Sequence, residues 1–242
     1  MIDAILITGA SRGIGLATAK TLAAQAYQVI GIARSAPIEA FPGAFFEADL
    51  SKPAEAEGVL GAICARHAID GIVNSLGLNI PEALGAVDLG HLASVLDMNL
   101  RVTVQCTQAV LGGMRERGYG RIVNISSRGA LGRPKRTSYA AAKAGIIGMT
   151  RTWALELARD GITANVVSPG PTATEMFRRN NLEGPDAEEN RRRFLADVPM
   201  NRFAEPGEIA AAIAFFVSRQ ASFVTGQVLN VCGGSSVGPA AW

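Results

Sequence analysis

Tyr139 and Lys143 stand four residues apart in Ser138-Tyr-Ala-Ala-Ala-Lys143, a stretch that reads as helix. Residues at i and i+4 share one helix face, about 5–6 Å apart at Cβ. A cation held beside a phenol favours the phenolate, which draws the tyrosine pKa down from about 10 toward neutral pH. Such a tyrosine can give and take a proton at working pH. Pairs of this kind also occur on ordinary helix surfaces, so the meaning of this one depends on the rest of the chain.

The 242 residues are long enough for one sizeable α/β domain and short for two. Hydrophobic residues make up 48% and charged residues 18%, a balance that suits a buried parallel sheet. The net charge of +2, without a basic stripe, argues against a nucleic-acid partner. Cys64, Cys106 and Cys232 are far apart and only two histidines accompany them, so no metal site is expected; they read as reduced core thiols of a cytoplasmic protein. Neither a signal peptide nor an apolar run of membrane length (about 20 residues) is expected, which predicts a soluble chain.

Short β-branched runs at 4–8, 28–33, 45–48, 71–74, 121–126, 163–168 and 228–231 alternate with helix-period segments at 15–25, 53–67, 89–117, 138–159 and 207–217. This alternation predicts an α/β fold with a doubly wound parallel sheet and helices on both faces. The irregular, charge-dense segment 172–205, in which Glu183-Gly184-Pro185 breaks two short helical patterns, reads as a substrate lid. Directly after the first strand comes Gly9-Ala-Ser11-Arg12-Gly13-Ile14-Gly15, then a helix. Glycines so placed allow a tight turn that brings backbone and a helix N-terminus against a pyrophosphate.

Thr8-Gly-Ala-Ser-Arg-Gly-Ile-Gly15 together with Tyr139-x-x-x-Lys143 resembles the short-chain dehydrogenase/reductases, over essentially the whole chain. The likeness extends to Asp49-Leu50, Asn74-Ser-Leu-Gly77, Asn99, Ser126-Ser127 and Pro169-Gly170. It implies a single Rossmann-type domain over residues 1–242, a nicotinamide dinucleotide on the glycine turn, Asp49 and Leu50 at the adenine, and Asn74 and Gly77 beside the adenine ribose. Family members commonly read Asn-Asn-Ala-Gly at 74–77, where this chain departs at two positions. The resemblance makes Tyr139 the general acid, sets Ser127 on the substrate oxygen, gives Lys143 the nicotinamide ribose, and has Asn99 anchor a water. Register from Gly120-Arg-Ile122 favours Ser127 over Ser126. Pro169, Gly170 and Thr172 would border the nicotinamide and Thr174 a cofactor phosphate, although both threonines also suit helix caps. The second strand ends Ala33-Arg34 rather than in an acid, so NADP(H) is expected over NAD(H), with Arg12 as a second cation for the 2′-phosphate.

Length and motifs look most like the 3-oxoacyl-(acyl carrier protein) reductases, which would need a basic docking surface; Arg117 and Arg159 are candidates for it. A small-molecule carbonyl reductase fits as well, and so does a dehydrogenase of a small anionic hydroxy compound. For the last, Arg136 is the leading anion contact among Arg128, Arg133, Lys135 and Arg136. A non-catalytic NADP-binding sensor is disfavoured by the presence of both Tyr139 and Lys143. The resemblance also implies a homotetramer or homodimer.

Overall fold

The computed structural model describes residues 3–238. Seven strands form one sheet: β1 (Ala4–Thr8), β2 (Gln28–Ala33), β3 (Ala44–Glu47), β4 (Ile69–Asn74), β5 (Gly120–Ile125), β6 (Ile162–Pro169) and β7 (Val228–Val231). All pairings are parallel, in the order β3-β2-β1-β4-β5-β6-β7. The chain therefore winds outward from β1 in one direction and from β4 in the other. The gap where the order reverses, at the carboxyl ends of β1 and β4, is where such folds bind ligands.

Successive residues of a strand point to opposite faces, and in a two-sided sheet both must be apolar. On one face Leu6, Ile30, Ile72 and Ile122 pack with Leu60 and Ile63 of α2 (Pro53–Cys64), Val110 and Met114 of α4 (Val102–Arg117) and Leu157 of α5 (Thr137–Leu157). On the other, Ile5, Ile7, Val73, Val123 and Val167 meet Leu22 of α1 (Gly13–Ala24) and Ile209, Ile213 and Phe216 of α8 (Pro206–Val217). Each such side chain contributes roughly 1.5–3 kcal/mol by leaving water. Between them the two layers fix the strand ends that carry the functional loops.

One difference from the sequence reading matters. The expected helix over 89–117 is divided into α3 (Leu89–Leu96) and α4 by a π-helical turn, Asp97–Arg101. Asn99 Nδ2 donates to Val95 O at 2.8 Å, occupying the carbonyl of the preceding turn, and the Val102 amide bonds five residues back to Asp97 O. A side chain that takes a helix carbonyl diverts the backbone ladder in this way. Segment 172–205 forms two helices, α6 (Glu175–Asn181) and α7 (Ala187–Ala196).

A buried polar seam crosses the middle of the sheet. Asn74 Nδ2 donates to Asn124 Oδ1 (2.8 Å) and Thr107 Oγ1 (3.0 Å), and Asn124 Nδ2 donates to Thr150 Oγ1 (2.8 Å). These bonds tie β4 and β5 to α4 and α5 in one register. Asn124→Ala should lower stability by about 2–3 kcal/mol, because it strands an Asn74 donor in the core; urea unfolding measures it, and a loss within experimental error would contradict the role assigned to the seam.

Candidate active site

One cleft of about 320 Å³ opens at the carboxyl ends of the strands. The glycine turn after β1, Ala33-Arg34-Ser35 after β2, Ser75-Leu76-Gly77 after β4, Ser126-Ser127 after β5 and Pro169-Gly170 after β6 all line it. Gly9 has φ +68°, and a Cβ there would lie 3.0 Å from Leu76 Cα; a Cβ on Gly15 would lie 2.3 Å from Gly9 O. The turn is therefore tight, and it sets the first amides of α1 against the cleft. Leu76 N donates to Thr8 Oγ1 at 3.3 Å, which holds the facing loop.

At the other end, α5 lays Tyr139 and Lys143 along the cleft wall. Lys143 is buried, and its Nζ donates to Ile125 O at 2.8 Å. Ser126 Oγ turns inward and donates to Lys143 O at 2.8 Å, whereas Ser127 lines the cleft with its Oγ accepting from Gly129 N at 3.0 Å. Burial pushes the Lys143 pKa down to about 7. Burial also pushes the Tyr139 phenol up, opposed by the Ser127 hydroxyl and the Arg136 guanidinium. This differs from the expectation that Lys143 lowers the tyrosine in the free site. The lysine sits 5.6 Å from the phenol ring centre, but in the same water-poor wall it is itself losing its proton near neutral pH.

Asn99 is fully buried behind Gly77, with Nδ2 donating to Leu78 O (2.9 Å) as well as to Val95 O. Its Oδ1 has no protein partner, and a Cβ on Gly77 would lie 3.0 Å from that oxygen and 3.4 Å from Lys143 Nζ. Asn99 and Lys143 thus border the same small space.

Other expected residues fall differently. The Asn74 side chain is spent in the core seam and does not line the cleft; Ser75 and Leu76 do. Asp49 is held by its own turn, accepting from Ser51 N (3.1 Å) and Oγ (2.7 Å), and the Ser51 hydroxyl is the main reason its pKa is lowered. Asp49 and Leu50 lie outside the cleft lining. Arg12, read as a free cation for a phosphate, is paired with Glu175 of α6 at 2.8 Å. Arg34 is exposed at the cleft edge. Thr174 caps α6, accepting from Phe177 N at 3.2 Å, and its methyl faces the turn at Gly13. Thr172 Oγ1 donates to Gly170 O at 3.0 Å.

Arg117 ends α4 and Arg159 follows α5, at the amino ends of β5 and β6, across the sheet from the cleft, and Arg117 is bound to Asp70 at 2.9 Å. Neither residue lines this chain's own cleft. Sequence reasoning passed over Glu175, Met176, Phe177, Asn181 and Phe194, all of which line the cleft. The signal available for them was a few apolar residues in an otherwise charged segment. Phe177 packs edge-on against Phe194 (4.9 Å) and Phe203 (5.2 Å), so the lid contributes aromatic surface to the cleft through Phe177 and Phe194.

The turn, the exposed Arg34 and the Tyr139/Lys143 wall fit an extended nicotinamide dinucleotide lying from β2 to β6. Fold and site together define a nucleotide-dependent dehydrogenase or reductase of the doubly wound class. The chain belongs to the short-chain dehydrogenase/reductase family, oxidoreductases that act between CH–OH and C=O groups: residues 9–236 match the family profile described as enoyl-(acyl carrier protein) reductase. It is 37% identical over 238 residues to a 3-oxoacyl-[acyl-carrier-protein] reductase of Vibrio cholerae, covering 95% of each chain. It is 39% identical over 243 residues to a (2S)-[(R)-hydroxy(phenyl)methyl]succinyl-CoA dehydrogenase subunit of Thauera aromatica, covering 96% of each. Among solved structures it is similar to the aldohexose dehydrogenase of Thermoplasma acidophilum, with a TM-score of 0.92 at 29% identity over 100% of this chain and 96% of that one.

The lowered lysine pKa has a consequence for stability. Between pH 7 and about 10.5 the unfolded chain holds a proton on Lys143 that the folded chain lacks, so rising pH favours the fold and falling pH removes that contribution. Lys143→Met should therefore stabilise the cofactor-free protein more at pH 6 than at pH 9 in urea unfolding. An equal change at both pH values would contradict the buried, depressed lysine.

Proposed function

We propose that the chain is an NADP(H)-dependent carbonyl reductase acting on ketones of the 3-oxoacyl thioester kind. The observation that carries this reading is the convergence of Ser127, Tyr139 and Lys143 on the cleft whose far end is the glycine turn. The relatives named for carrier-protein and CoA thioesters support the substrate class. A dehydrogenase of a small anionic hydroxy compound is the second reading, favoured by the arginines at the substrate end of the cleft.

The bound nicotinamide supplies the hydride. Ser127 Oγ, which accepts from Gly129 N, keeps its own proton to donate to the substrate oxygen. Tyr139 has its phenol pKa raised by burial, so it holds the proton that the developing alkoxide takes. Lys143 would hold the nicotinamide ribose and, when charged, ease the loss of that proton. Asn99 Oδ1 and Lys143 Nζ flank a space suited to a water that returns the proton. Segment 172–205 would act as the lid, with Thr172 and Thr174 on its cofactor side.

The NADP(H) preference rests on charge. β2 ends in Ala33 and the exposed Arg34, and the one carboxylate among the cleft-lining residues, Glu175, is engaged by Arg12. A 2′-phosphate thus meets an exposed guanidinium whose acidic neighbour, Asp49, lies outside the cleft lining. Assembly as a homotetramer or homodimer is supported by apolar surface along the β7 edge: Phe223 is fully exposed, and Phe215 and Leu229 are partly so. The three cysteines are free, which fits a cytoplasmic setting.

Tyr139→Phe should lower kcat by at least about a hundredfold while fluorescence titration shows NADPH binding nearly unchanged; retained turnover would defeat the assignment. Arg34→Glu should lower kcat/KM for NADPH by about tenfold or more and leave NADH little affected. A wild-type enzyme that uses NADH as well as NADPH would overturn the cofactor preference.

A further inference from the structure

Arg136 is a buried guanidinium set in the cleft wall, only 9% exposed. Its guanidinium donates to Lys135 O at 3.3 Å and Asn181 Oδ1 at 2.8 Å, both neutral acceptors, and it has no carboxylate partner among the described residues. Guanidinium stays ionised at any working pH, so a charge has been taken out of water without a counter-ion. Buried charges are ordinarily paired.

Its neighbours make the imbalance larger. Arg133 lies 3.7 Å over the Phe194 ring and 3.5 Å from Asp197, while Arg128 donates to Ser235 O at 3.2 Å. Arg128 and Arg136 both depress the Arg133 pKa, after the larger effect of burial. Three guanidiniums thus share the substrate end of the cleft with one carboxylate set behind Arg133. Glu175 is committed to Arg12 at the opposite end.

We propose that the substrate carries a carboxylate close to its reacting carbonyl and that Arg136 is the residue that selects it; this rests on the reductase reading above. Arg136 begins the turn of α5 that presents Tyr139, and its charge acts on that phenol. An anion on Arg136 would therefore lie toward the Tyr139 end of the cleft. The phosphate of a pantetheine arm lies many bonds from the thioester and does not reach this point, and a plain 3-oxoacyl chain supplies no counter-charge at all. A carboxylate completes the donor set left open by Lys135 and Asn181 and relieves the repulsion among the three arginines. Arg136 could alternatively serve only as a strap from the loop before α5 to α6 through Asn181, and the test separates the two roles.

The experiment measures initial rates of the full chain with NADPH and with NADH on 3-oxoacyl N-acetylcysteamine thioesters that end in a carboxylate at increasing distance from the ketone. Each acid is compared with its own methyl ester and with an unsubstituted ketone. Wild type should favour at least one acid over its ester by about tenfold or more in kcat/KM, chiefly through KM, and Arg136→Gln should bring that ratio to within roughly twofold of unity. Asn181→Ala, which removes only a neutral partner, should keep the preference, and Arg136→Lys should keep part of it. If every ester is used as well as its acid, if the preference survives Arg136→Gln, or if Asn181→Ala abolishes it equally, the proposal is overturned. Should Arg136→Gln fail to fold, the wild-type and Arg136→Lys ratios decide. Wild type that reduces none of these ketones with either cofactor defeats the reductase reading instead.

Discussion

The site depends on a pair of crossed hydrogen bonds between α5 and the end of β5. Lys143 Nζ donates to Ile125 O, and Ser126 Oγ donates back to Lys143 O, both at 2.8 Å. A strand end and a helix are thereby locked to one another in a single register. Ser127, the next residue of the strand, and Tyr139, one turn earlier on the helix, are brought to the same cleft as a result. The lock is costly because it buries an amine, and the depressed lysine pKa is the measure of that cost.

Charge is distributed along the cleft in the same spirit. At the cofactor end Arg12 is neutralised by Glu175 and Arg34 is exposed, while at the substrate end the arginines outnumber their acids. The protein thus holds a positive potential in a partly dry groove, where charges act more strongly than in bulk water. Phe177 and Phe194 line that groove, braced by Phe203, and Arg133 lies over the Phe194 ring.

Much of the architecture was legible in the chain. Alternating β-branched and helix-period segments lead to the parallel sheet because both faces must be apolar, and the observed strands begin and end within a few residues of the expected ones. The glycine turn was legible because only small residues allow so close an approach, as at Gly15 against Gly9 O. The division of the 89–117 helix was not legible. Nothing local distinguishes an asparagine that bonds the preceding turn from one that faces solvent, and the π turn follows from that one side-chain choice. Asn74 likewise has a type that suits a ribose contact, yet its partners, Asn124 and Thr107, are 50 and 33 residues away.

The sequence by itself determined the class of chemistry: a phenol, an ammonium and a hydroxyl at spacings that a strand end and a helix can bring together, beside a turn that only glycine permits. Tertiary structure decided which charges are spent and which are free. Arg12 and Arg136 are indistinguishable as letters, but one meets Glu175 from a helix 163 residues on and the other meets only neutral oxygens. Pairing and burial are properties of through-space neighbours, so a buried charge without an acid in the cleft could be identified only once the chain was folded.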